Sequence, residues 1–273
     1  MRRVTPVPIC SEQPFFSYAS HDLTLAEAVA VITAVRAKYR VQMPELKANK
    51  LLKSAAGRVL IADVLDRIDG RYMASLFDKR LSLMSKLFEY IYEPVLQHNN
   101  LLFYKNDLHR FVANYLYVLT LDQPVRQLAR EFEAFMRSLD PSDAPLIFGC
   151  SAGGEPNPLI GQIIRFARGY NVIIARETRH LRETNDSGKW VLDLTASALF
   201  TQLMRWGERH PLIEVVCDES KPLLAVGDLY HAMINRPEPT EWVAFRDRKL
   251  RTWNMSKPLY FAPSKDHSGR TAC

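Results

Sequence analysis

Leu212-Ile213-Glu214-Val215-Val216-Cys217-Asp218-Glu219-Ser220-Lys221-Pro222-Leu223 is a short apolar run that ends in two carboxylates. The run is rich in β-branched residues and is closed by Ser-Lys-Pro, which favours a buried strand over a helix. A helical pattern from Asp193 to about Arg209 delivers the chain into it, with Leu194, Ala198, Leu199, Leu203 and Trp206 on the inward face. A helix feeding a strand that ends in acids is the arrangement of α/β sites at sheet edges. At such a position Asp218 and Glu219 are candidates to bind a divalent metal or to polarise water. The competing reading is a strand running into a turn whose acids face solvent.

Upstream, Phe15 to Ser20 alternates loosely and suits a strand. A helix follows to about Tyr39, with Leu25, Ala28, Val29, Ile32 and Val35 on one face; Thr24 and Glu27 form a capping-box signature at its start. Basic residues at its end suit the helix dipole. Residues 44–53 are basic and carry one acid, Glu45. A carboxylate framed by lysines fits a surface ion pair, and equally a metal-binding acid beside a phosphate-contacting lysine. The spacing then predicts a helix from Ala55 to Ile68 with Val59, Leu60, Val64 and Leu65 inward, a strand from Arg71 to Phe77, and a helix from Leu81 to about Tyr92. Pro94 marks the end of that helix or a kink. Residues of about 100–145 read as helical and separate two strand-rich regions, so they are expected to be an insertion into an α/β domain. Downstream, Asn171 to Ala175 fits either a strand or a continued helix, the chain beyond Asp228 is loop-rich, and Leu259 to Ala262 fits a last strand.

Hydrophobic residues make up 47% of the 273 residues, enough for a sizeable core and against global disorder. No apolar run approaches the length that spans a bilayer, and the prolines among the first residues interrupt any signal-peptide pattern. The four cysteines are scattered, with no C-x-x-C pair; together these features point to the cytoplasm. The net charge of +6 suits a polyanion such as nucleic acid, and equally an ordinary slightly basic protein. The seven histidines show no metal-ligand spacing. Gly149-Cys150-Ser151-Ala152-Gly153 matches the G-x-S-x-G nucleophile elbow, with Asp218 and His267 following in the order of a hydrolase triad. Two prolines, Pro156 and Pro158, stand where the elbow's helix should begin, which favours an ordinary Gly-rich loop.

Three segments in order resemble the bacterial domain-of-unknown-function family 3800: Glu45-Leu46-Lys47, then Val215 to Lys221 after a long helix, then Phe261-Ala262-Pro263-Ser264-Lys265-Asp266-His267-Ser268-Gly269. The resemblance implies a single α/β domain over residues 1–273, with a ribonuclease-H-like mixed sheet flanked by helices and acids gathered at one end. It also implies metal-dependent phosphodiester hydrolysis, in which clustered carboxylates hold Mg²⁺ or Mn²⁺ ions that activate water. Carried over, Glu45 and Asp218 are the catalytic and metal-binding acids, Glu219 is a further ligand, and Lys47 and Lys221 contact phosphate or form salt bridges. The family's Asp-Glu-Ser-Gly near the start and Gln-Leu-Ala-Asp near the end have no counterpart here. The expectation is therefore a nuclease-like protein impaired by missing acids, in a truncated or divergent member. The alternatives are a non-catalytic nucleic-acid-binding or interaction protein on the same fold, or a serine hydrolase using Ser151.

Overall fold

The computed structural model describes residues 13–43, 46–96, 107–120, 123–149, 158–183, 191–218, 220–231, 241–244, 248–251 and 255–262. The described residues are mostly helical, and their strands form three separate two-stranded sheets. The expected ribonuclease-H-like mixed sheet flanked by helices is therefore not the fold. The chain divides into two compact units, Ser17–Ser75 and the remainder.

The smaller unit lies between two paired strands, β1 (Phe15–His21) and β2 (Tyr72–Asp78). Hydrogen bonds from Asp22 N to Arg71 O (3.1 Å) and from Lys79 N to Pro14 O (2.9 Å) at opposite ends make the pairing antiparallel. Between them run α1 (Leu25–Tyr39), the single turn α2 (Ala48–Leu51) and α3 (Ala55–Arg67). The Thr24–Glu27 capping box forms as expected, with both reciprocal bonds present. Ser54 caps α3 by accepting from Gly57 N at 3.0 Å. Gly70 then takes the left-handed conformation (φ 72°) that a side chain would resist. Burial departs from the pattern: α1 buries only Val35, leaving Leu25 83% and Val29 56% exposed, and in α3 Leu60 is buried while Val59 and Leu65 are exposed.

The larger unit contains α4 (Lys79–Leu96), α5 (Leu108–Leu119), α6 (Gln123–Ser138), α7 (Pro145–Phe148), α8 (Pro158–Gly169) and α9 (Asn171–Glu183). One apolar cluster joins them, including Leu87, Phe88 and Ile91 of α4, Leu116 of α5, Phe132 and Phe135 of α6, Ile147 of α7, Ile160 and Ile163 of α8 and Ile174 of α9. Tyr92 stacks on Phe88 and on Phe166, with centroids 4.9 and 4.7 Å apart. Asp78 starts α4 by accepting from Arg80 N and Leu81 N, while its other oxygen accepts from Tyr117 Oη at 2.8 Å. Glu131 accepts from Leu146 N (2.7 Å) and Arg168 Nε donates to Leu146 O (2.9 Å), anchoring α7 from both sides.

One correction, and one choice between two open readings, follow from this packing. The helical stretch expected as an insertion is the centre of a core, because α5 and α6 bury their apolar stripes against α4, α7 and α8 rather than against a sheet. The β-branched Val172-Ile173-Ile174 lies inside α9, continuous in pattern with the helix before it. Short apolar runs carry no periodicity that separates a strand from a buried helix, and here packing between helices decides. Pro94 sits inside α4, which runs on to Leu96.

Beyond α9 come α10 (Thr195–Arg209), β3 (Val216–Asp218), α11 (Lys221–His231), the antiparallel pair β4 (Glu241–Ala244) and β5 (Arg248–Arg251), and β6 (Tyr260–Ala262). The inward face of α10 is the expected one, with Ala198, Leu199, Leu203 and Trp206 buried. The run from Leu212 yields a three-residue strand parallel to β6, in the register Val216↔Tyr260, Cys217↔Phe261 and Asp218↔Ala262. Val215 and Cys217 are buried while Val216 and Asp218 are exposed, so the strand is covered on one face only. Among the described residues its sheet has two strands, not the mixed sheet expected there.

Candidate nucleic-acid interface

Of the expected site residues, the structure describes Lys47, Asp218 and Lys221. Glu45, Glu219, Ser151 and His267 lie outside the described residues. Asp218 ends β3 and Lys221 begins α11; both are exposed and belong to the larger unit. Lys47 immediately precedes α2, is exposed and belongs to the smaller unit. Among the described residues no three His, Cys, Asp or Glu side chains are grouped to hold a metal. Mg²⁺ and Mn²⁺ need several oxygen ligands, and Asp218 alone does not supply a two-ion centre.

The smaller unit gathers a different set of side chains. Residues 36–58 contain seven Lys or Arg (Arg36, Lys38, Arg40, Lys47, Lys50, Lys53, Arg58) and one acid. The fold draws this segment round a small apolar core. Val35, Leu51 and Leu60 are buried there, and Tyr39, Val41, Met43, Leu46, Ile61 and Val64 pack against them. Arg40, Lys47, Lys50, Lys53 and Arg58 are exposed, and Leu52 is exposed among them. Arg58 Nη1 donates to Leu52 O at 3.0 Å, which fixes the first turn of α3 against the end of α2. Gly57 makes that approach possible, since a Cβ there would stand 2.1 Å from Leu51 O.

Charge is segregated along the two long helices of this unit. Val35 in the last turns of α1 packs with Leu60 in the first turns of α3, so the basic end of one meets the basic start of the other. Three acids of the unit, Asp22, Glu27 and Asp63, are held in ion pairs. Arg71 binds Asp22 through both a carboxylate oxygen and the backbone carbonyl, and it grips both carboxylate oxygens of Glu27. That guanidinium, with the Thr24 backbone and hydroxyl, holds the Glu27 carboxyl down to about 2. Asp63 accepts from Lys38 Nζ and from Arg67 Nε, each at 3.2 Å. Partial desolvation works to raise the Asp63 carboxyl, but the two cations outweigh it and the net shift is downward. The bond to Asp63 also raises the Lys38 ammonium.

Only residues 44–53 of this surface stand out in the sequence. What joins Arg36, Arg40 and Arg58 to them is the alternation of Val41, Met43 and Leu46 with polar positions, which turns one side of a connecting segment inward. Comparison with models of protein families, with curated proteins and with solved structures finds no match.

Proposed function

We propose that the protein binds nucleic acid through the basic end of its smaller unit. One observation supports this: seven cationic side chains and a single acid fall within one segment wrapped round one end of a helical pair. A surface of this kind attracts a polyanion by Coulomb energy and by release of the counterions condensed on it. Lys47, for which the family resemblance implies a phosphate contact or a salt bridge, lies within it. Hydrolysis would need more carboxylates than the described residues bring together, so binding rather than cleavage is the function put forward.

Fluorescence anisotropy with labelled oligonucleotides tests the reading. If three phosphate contacts form, affinity falls roughly 40-fold between about 50 and about 200 mM salt. Reversing Lys47, Lys50 and Lys53 together to Glu should abolish measurable binding while far-ultraviolet circular dichroism stays unchanged. Binding that survives this reversal, or no binding by the unaltered protein at low salt, would falsify the proposal.

A further inference from the structure

We propose that a second copy of this chain docks on the outer face of α5, the two helices lying antiparallel about a two-fold axis. This stands apart from the nucleic-acid reading and concerns the larger unit alone. The inner face of α5 belongs to the core, with Val112, Ala113 and Leu116 buried. The apolar arc continues round the helix onto an exposed face. Phe111 and Val118 are each 60% exposed and Leu108 is 40% exposed, with Tyr115 half-buried between Phe111 and Val118. These four fall at intervals of three, four and three residues, the spacing of a coiled-coil seam whose side chains insert between those of a facing helix. The rings of Phe111 and Tyr115 already stack, with centroids 5.9 Å apart and planes 28° from parallel, so the centre of the seam is preformed. A continuous row of large apolar side chains, on a helix whose other face is already buried, marks an interaction surface rather than scattered exposure.

The seam is its own complement. In either direction it runs aliphatic, aromatic, aromatic, aliphatic, with the same spacing. A two-fold interface requires that two residues meet reciprocally, each on one copy facing the other on its partner. Antiparallel pairing does this: Leu108 of each copy faces Val118 of the other, and Phe111 of each faces Tyr115 of the other. Charge agrees with that direction. Arg110 is the only Lys, Arg, Asp or Glu from 108 to 119, and it sits at the N-terminal end with Asp107 3.7 Å away. Antiparallel packing sets this end against residues 116–120 of the other copy, which carry no charge. Parallel packing would bring the two Arg110 guanidiniums level with each other and align the helix dipoles unfavourably. The seam covers ten residue steps, about 15 Å of helix, and is small beside the roughly 1,200 Å² of a stable interface. The dimer is therefore weak and reversible.

Sedimentation velocity on the full chain, from roughly 5 to roughly 500 μM, tests the proposal. A reversible shift from monomer toward dimer is expected across that range. Phe111→Ser should weaken it at least about tenfold while the melting temperature is unchanged. Leu108→Lys and Val118→Glu, both at exposed positions, should each weaken self-association as well. Mixed in equal amounts, these two variants should form a heterodimer. Antiparallel pairing sets the introduced ammonium against the introduced carboxylate at one end and restores Leu108 against Val118 at the other. A monomer throughout the range overturns the proposal, as does a dimer that any of the three variants leaves unchanged. Two charged variants that fail to associate on mixing overturn the antiparallel register, and the proposal with it.

Discussion

The two units close their interiors by different means. Among the described residues the larger one buries a cluster of nineteen apolar residues, all but Ala144 from six helices, whereas the smaller one's cluster buries three, Val35, Leu51 and Leu60. Apolar burial alone accounts for the first. A unit as short as Ser17–Ser75 buries a smaller share of its surface and leans on specific polar contacts. Here these are the Thr24–Glu27 box, the Ser54 cap and the Arg71 and Asp63 ion-pair groups. The difference bears on role as well, because the sparsely filled unit is the one that presents the cationic segment.

The sharpest way to break this comparison is to hollow each interior in turn. Phe132→Ala, at a side chain 1% exposed in the larger cluster, should cost about 3–5 kcal/mol by denaturant titration. Leu60→Ala in the smaller unit should cost less, nearer 2 kcal/mol, because its surroundings are half-exposed and can collapse onto the gap. Equal losses would mean that the two interiors carry comparable packing after all.

Next in size is Gly57→Ala. The new Cβ would meet a backbone carbonyl at 2.1 Å, so α2 or α3 must shift, at a cost of about 1–3 kcal/mol. The same shift would misplace Lys50 and Lys53, so nucleic-acid affinity should fall along with amide protection around Leu51 and Leu60. Affinity that is retained despite lost protection would separate the basic segment from the packing beneath it.

The sequence marked elements more reliably than it marked their partners. The Thr24–Glu27 box and the stripe of α10 were legible because a cap and a helical face are local patterns spaced three or four residues apart. The helix-against-helix core was not, since the apolar runs at 146–148 and 171–175 are too short to show a period and read equally as strands. Leu25 and Val29 sit on the expected face of α1, yet that face is exposed; periodicity identifies a face and not what covers it. Asp218 was legible as the end of a strand. The strand's length was not: the ladder with β6 spans Val216 to Asp218, and upstream of it Ile213 makes only an isolated bridge to Met255.

A third measurement asks whether polar contacts carry the smaller unit. The Glu27 carboxyl is held near 2, below its ordinary 4.5, by Arg71 and Thr24. A carboxyl depressed on folding contributes stability that is complete above the unfolded value and is lost as pH falls through the folded one. Amide protection in the first turns of α1 should therefore weaken from about pH 4.5 down to about pH 2, and Glu27→Gln should remove that dependence. Phe88 and Phe132 amides in the larger unit should show no step from this group. A step of equal size in Glu27→Gln would assign the transition to other carboxylates.

The smallest effect is expected at Asp218, and it tests where function resides. If binding belongs to the basic end of the smaller unit, an exposed carboxylate at the end of β3 adds nothing to it. Asp218→Ala should then leave nucleic-acid affinity within about twofold, since an exposed charge that does not touch the ligand contributes little at physiological salt. The same variant bears on the activity implied by the family resemblance. Cleavage of RNA or DNA that requires Mn²⁺ and disappears in Asp218→Ala would make this residue part of a catalytic centre completed by residues outside the described ones. A tenfold change in affinity without cleavage would instead extend the nucleic-acid contact onto the larger unit. Unchanged affinity and no cleavage would leave the cationic segment of residues 36–58 as the whole of the recognition surface.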